Sequence, residues 1–215
     1  MHAYLEKLKF LFTNPVGFFG SIKKEATYWP ILLFFVIFTA IAQIISVVFG
    51  LPIFFNDSIL LIASLLGVVT STLSALVVPF VAAAFIHLGV LIVKGSEGYF
   101  NTFKVVTYAI TISLVYSVVS SIITNFIGWF KPELILSLAD PNQVASLSSI
   151  FSSPIVIISS IISLISIVHV VYSMSIGLSV YQKLSRGKAF LALIIFPLAI
   201  FIIGLLLGGF RSLGF

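Results

Sequence analysis

Few side chains in this sequence could do chemistry, and they fall in two places. Residues 84–108, AFIHLGVLIVKGSEGYFNTFKVVTY, hold an apolar run carrying His87 that stops at a polar turn and resumes after Lys104. Lys94, Gly95, Glu97, Gly98, Tyr99 and Tyr108 lie in or beside that turn. Residues 154–181 hold Ser159, Ser163, Ser166, His169 and Ser173, which share about a third of a helix's circumference. An imidazole inside an apolar run can relay protons, and in lipid it marks a site by default because its charged form is costly. The plainer alternative is a neutral ring hydrogen-bonded to a Ser or Thr, and both readings stay open for His87 and His169. The turn offers a carboxylate, ammonium groups and phenols, which suit binding more than bond breaking.

Catalysis lacks its parts. There is no Cys, hence no disulfide, thiolate metal site or cysteine nucleophile. The apolar runs contain no Asp or Glu, so neither paired aspartates nor an HExxH helix can carry out intramembrane proteolysis. A P-loop, a GxSxG elbow and a dinucleotide fingerprint are missing too. With three His and six acidic residues, no catalytic residue, metal or cofactor is expected. The net charge of +5 could suggest nucleic acid, but the cations lie at the ends of apolar runs instead of in a stripe. No nucleic-acid partner is expected.

The elements that must position these residues are membrane helices. The chain is 60% hydrophobic and 8% charged, with a mean hydropathy of +1.28, against roughly 45–50% apolar and about 25% charged in soluble domains. Uncharged runs long enough to cross a bilayer, without strand-like alternation, predict an all-α fold. It reads as a polytopic transmembrane helical bundle of five spans, residues 30–215, preceded by N-terminal interfacial amphipathic helices in residues 1–29. Tyr4, Leu5, Leu8, Leu11 and Phe12 share one helical face, with Glu6, Lys7 and Lys9 on the other. Asn14-Pro15 ends that helix and starts a second, Asn as cap and Pro at the first helical position. A simple cationic leader is the alternative. The leader is too long for the charged region of a cleavable signal peptide, although Ala40-Ile41-Ala42 mimics a cleavage site.

The first span covers residues 30–49, introduced by Tyr28-Trp29 and ended by Gly50-Leu51-Pro52, with Thr39, Gln43 and Ser46 in a polar seam. Residues 59–93 are uncharged for 35 residues, about 52 Å of helix at 1.5 Å per residue against a hydrocarbon core of about 30 Å. A break is expected at Gly67 or Thr70-Ser71-Thr72, with the second span at 72–93 and a kink at Pro79. Residues 59–70 are then interfacial, re-entrant or part of that span. The turn ends the second span at a left-handed glycine, and Asn101-Thr102 caps the third. The third span, 103–127, carries Thr107, Thr111, Ser117, Ser121 and Thr124. Residues 142–153 make a short outer helix or a loop. The fourth and fifth spans are 154–181 and 189–209, and Gly204 and Gly208 in the last permit close packing within the chain or in a homodimer.

Asn14-Pro15, Phe18-Phe19, residues 25–30, His87, Gly95, Gly98-Tyr99-Phe100, residues 102–105 and Tyr108-Ala109 resemble motifs of the Yip domain family. These are the Ypt/Rab-interacting membrane proteins and their prokaryotic relatives. The five-span layout resembles the family over essentially the whole chain. Two family features are missing: the Asp-x-Tyr-Gly-Pro-like motif of eukaryotic members and a proline a few residues after Tyr108. The short leader looks more like the prokaryotic branch. The resemblance implies a non-enzymatic adaptor or membrane-organising, trafficking-type factor, surrounded by membrane lipids and meeting a protein partner at its cytoplasmic face. Glu25, Gly95, Gly98, Tyr99, Lys104 and Tyr108 would form its site, with His87 just beneath, and Glu25 and the leader would pack against the turn. The competing readings are a small transporter or permease with Gln43, Thr111, Ser163 and His169 lining a path, and a lipid-handling protein with a groove open to the bilayer.

The charges orient the chain. With a cytoplasmic N-terminus, nine Lys and Arg fall on the inner side and two, Lys131 and Arg211, on the outer, as positive-inside bias requires. Localisation is thus integral membrane, the cell membrane if the source is prokaryotic, with the C-terminus outside. A reporter joined after Phe215 should be active only outside the cytoplasm; cytoplasmic activity would overturn the five-span count.

Overall fold

A computed structural model describes residues 1–54, 58–131 and 154–212, and among these every regular element is a helix. The leader comprises α1 (His2–Thr13), α2 (Pro15–Ser21) and a 3-10 turn at Ile22–Lys24. Then follow α3 (Tyr28–Phe54), α4 (Ser58–Ser74), α5 (Val78–Ile92), α6 (Tyr99–Phe130), α7 (Pro154–Tyr181) and α8 (Arg186–Ser212). Among the described residues, α3, α6 and α7 are long and apolar enough to cross a membrane, and α4 with α5 adds a fourth crossing if that broken pair is one span. α8 contains Gly204 and Gly208. The outer segment 142–153 lies outside the described residues.

The leader follows its local chemistry. The Asn14 side chain accepts from the Gly17 amide at 2.9 Å, and Pro15 occupies the first helical position of α2, where a missing amide hydrogen costs nothing. Leu11, Phe18 and Phe19 are fully buried; each such side chain contributes about 1.5–3 kcal/mol by leaving water. The apolar face of α2 is therefore covered by protein.

Two expected boundaries move. The break in the long uncharged run lies at 75–77, and Gly67 and Thr70-Ser71-Thr72 sit within α4. The ring of Pro79 would strike the carbonyl of residue 75 in a continuous helix, so the chain breaks just before it, and Pro79 becomes the second residue of α5. The threonines need no break, because Thr70 and Thr72 donate to the carbonyls of Leu66 and Val68 at 3.0 and 2.7 Å. Likewise α3 does not stop at Gly50-Leu51-Pro52 but runs through Pro52 to Phe54. Only the last turn loses an amide donor there.

The chain divides into two compact units: Met1–Ile31, Val78–Ala109 and Val171–Phe215 form the first, Leu32–Val77 and Ile110–Val170 the second. In the first unit α5 packs on α8, and the contact depends on Gly89, where a methyl would overlap the Ala192 carbonyl. At Gly20 on α2 a methyl would meet nothing within 4 Å. Gly89→Ala should accordingly lower stability by about 1–3 kcal/mol, and Gly20→Ala should stay within about 0.5 kcal/mol of wild type. Unfolding in detergent, followed by fluorescence, checks the pair; equal stabilities would contradict the close approach.

Candidate functional site

Eight successive residues, Thr102 through Ala109, are buried on every side of the first turns of α6. A helix buried all round needs cover on each face. Phe18 of α2 meets Tyr108 edge-on at 5.1 Å, Phe80 of α5 lies 4.5 Å from Phe103, and Tyr28 lies 4.9 Å from Phe103. Gly177 of α7 leaves the space that Val105 and Phe19 occupy. The leader thus supplies one wall of the first unit's core, and the Tyr181 hydroxyl ties α7 to it by donating to the Phe19 carbonyl at 2.9 Å.

Glu25 fastens that wall. Lys7 Nζ donates to Glu25 Oε1 and to the Tyr108 hydroxyl, each at 2.5 Å, and the Tyr108 hydroxyl donates to Glu25 Oε2 at 2.7 Å. Lys104 Nζ donates to the Glu25 backbone carbonyl at 2.5 Å and lies 5.0 and 4.9 Å from the ring centres of Phe100 and Tyr181. Lys104 is only 1% exposed, and a buried ammonium is costly unless partners replace its water. The carbonyl and two ring faces do so. Lys7 corrects the amphipathic reading of α1: it lies one turn before Leu11 and shares its inward side, whereas the split of charged from apolar residues grouped it outside with Glu6 and Lys9.

The turn itself ends α5 by a Schellman arrangement. Gly95 donates its amide to the Val90 carbonyl at 2.8 Å and Lys94 to that of Leu91 at 3.0 Å. The left-handed residue is Lys94, φ 65°, and not a glycine; Gly95 is instead required by space, since a Cβ there would overlap the Val90 side chain. Gly98 has φ 25°. α6 begins at Tyr99, so Asn101 and Thr102 lie inside its first turn and do not cap it. The Thr102 hydroxyl bonds His87 Nδ1 at 2.9 Å and Gln182 Nε2 at 3.0 Å. The Tyr99 ring stands edge-on to His87, and its hydroxyl donates to the Phe80 carbonyl at 2.7 Å.

Gln182 was not among the expected site residues, yet it holds the turn. Its Oε1 accepts from the Glu97 amide at 3.0 Å, and its Nε2 donates to the carbonyls of Glu97 and Gly98 at 2.7 and 3.2 Å. The next residue, Lys183, pairs with the Glu97 carboxylate. An amide closing a long apolar run, just before a basic stretch, was the available signal. The first unit therefore brings the expected residues together as two clusters: Glu25, Lys104 and Tyr108 with Lys7, and His87, Gly95, Gly98 and Tyr99 with Thr102 and Gln182.

The second unit holds Gln43, Thr111, Ser163 and His169. A cavity of about 600 Å³ is lined by Ser163 but not by Gln43, Thr111 or His169. His169 Nδ1 reaches it through the Tyr116 hydroxyl, 3.1 Å away. Ser159 lies between Ser120 and Thr124.

The family model of the Yip1 domain matches residues 9–208, nearly the whole chain. No curated protein and no solved structure matches.

Gln182→Ala removes the partner of the part-buried Glu97 amide and carbonyl and of the buried Thr102 hydroxyl and should cost about 1–3 kcal/mol of stability. Glu25→Gln removes the carboxylate from Lys7 and Tyr108 and should cost about 1.5–3 kcal/mol. Combined with Tyr108→Phe, the loss should be smaller than the sum of the two single losses, because the groups share one network. Strict additivity in denaturant titrations would show that they do not act together.

Proposed function

The chain belongs to the Yip1 domain family, and from that premise we propose that this integral membrane protein is a non-enzymatic adaptor or membrane-organising factor acting at its cytoplasmic face. The proposed topology has five spans, α3, the α4–α5 pair, α6, α7 and α8, in one transmembrane domain, with the N-terminus inside and the C-terminus outside. Nine of the eleven Lys and Arg fall on the inner side of that arrangement, which supports the orientation.

The observation that carries the reading is the Glu25 junction. It holds the leader in one position on the buried start of α6, so α1 and α2 offer a preformed surface instead of a loose tail. Glu6, Lys9, Lys23 and Lys24 are exposed, leaving charge outward for a protein partner and for anionic headgroups. Glu25, Lys104, Tyr108, Gly95, Gly98, Tyr99 and His87 then act by positioning that surface. A homodimer through Gly204 and Gly208 is compatible with it.

Crosslinked purification from native membranes tests the reading, comparing wild type with Lys9→Glu/Lys23→Glu/Lys24→Glu. The same protein should be recovered repeatedly with wild type and lost with the charge-reversed chain, while both chains elute alike on size exclusion. Recovery of no protein above a mock sample, or recovery untouched by the reversal, would refute an adaptor role for the leader face.

A further inference from the structure

The cavity of about 600 Å³ in the second unit is walled by α3, α6 and α7, a volume suited to a small ligand or a headgroup. All of its lining residues except Ile162 and Ile167 carry a hydroxyl or an amide, and none carries a charge. Helices that merely pack closely use small residues at their contacts; they do not need a space edged with hydroxyls. Polar walls of that extent require partners.

The hydrogen bonds within the wall restrict what can enter. Ser113 and Ser117 donate to the carbonyls of Ile110 and Leu114 at 2.7 and 2.8 Å. Ser121 donates to Ser46 Oγ at 2.7 Å, and Asn125 Nδ2 donates to the Ser46 carbonyl and to Ser121 Oγ, each at 3.2 Å. A hydroxyl engaged as donor still has a lone pair to offer, so this wall mainly accepts. On α7, Ser163 and Ser166 add hydroxyls that engage no described residue. An anion would find no cation here and a cation no carboxylate, and an unpaired charge is costly away from water. A neutral group rich in O–H donors finds acceptors on α3, α6 and α7.

We infer that this cavity binds an uncharged polyhydroxyl group of the glycerol or sugar type. None of its lining residues belongs to the leader, and the inference does not depend on the adaptor reading. Such a group could arrive as a soluble polyol or as the headgroup of a neutral glycolipid.

The full chain in phosphatidylcholine nanodiscs provides the test, with two diazirine photoprobes: a galactosyl diacylglycerol labelled on the sugar, and a soluble methyl galactoside. Label mapped by mass spectrometry should fall in 113–125 and 162–167 and be displaced by excess unlabelled probe. Ser163→Ala/Ser166→Ala should lower it about tenfold, the worth of one or two hydrogen bonds. Labelling by the lipid probe alone identifies a headgroup site, and labelling by the soluble probe identifies a solute site. Absence of label from these segments with both probes, or label that neither competitor nor variant reduces, overturns the inference. Ser117→Leu, which fills the cavity from α6, should abolish labelling independently; it replaces the double variant if that chain does not elute as wild type does.

Discussion

A lysine that is only 1% exposed, Lys104, is the constraint on which the first unit depends. Removing an ammonium from water costs several kcal/mol after relaxation, and the cost is offset only when specific partners stand in for the lost water. For Lys104 those partners are a backbone carbonyl from the leader, the ring of Phe100 on its own helix and the ring of Tyr181 on α7. Lifting the leader would strip Lys104 of that carbonyl and Tyr108 of its carboxylate acceptor together. It would also uncover Phe18 and Phe19. The leader is thereby bound into the fold by a polar penalty and an apolar one acting in the same direction.

The two clusters share the first turns of α6. Thr102 answers to His87 and Gln182, while Lys104 and Tyr108 answer to Glu25 and Tyr108 also to Lys7, so one short helical segment is read from four separate stretches of the chain. Gln182 adds a constraint that a loop of glycines could not supply alone: one side-chain amide satisfies both the amide and the carbonyl of Glu97, as a strand neighbour would. Under the proposed function, this rigidity is what lets an exposed set of charges keep a fixed spacing toward a partner.

The second unit meets the same physical problem, polar groups in an apolar setting, in another way. Its serines and threonines return many of their donors to carbonyls of their own helices or to one another, which neutralises the donors but leaves the oxygens as acceptors. Ser121 and Asn125 also reach from α6 to Ser46 on α3, so that neutral groups answer one another there, whereas around Glu25 the partners are a carboxylate and an ammonium. The contrast separates a region fastened by charge from one lined by neutral hydroxyls and an amide.

Much of the architecture was legible along the chain because it depends on near neighbours. Asn14 and Pro15 contain all the chemistry of the α1–α2 junction, and hydropathy alone places α3, α6 and α7. The motif residues Glu25, Lys104 and Tyr108 marked one cluster by type. Other features depended on what lies across the fold. Lys7 looked like a surface charge until Glu25 and Tyr108 were beside it. Gln182 looked like the polar end of a span until the 94–98 turn lay against it. The break before Pro79 was misplaced because a ring's clash four residues back outweighs the weak local preferences of Gly67 and the threonines. Composition and periodicity by themselves determined that this is a helical membrane protein and roughly where its helices run. Tertiary structure alone decided which polar groups of the site are partners, because those contacts join residues some 80 positions apart at hydrogen-bond distance, and no pattern of near neighbours encodes that meeting.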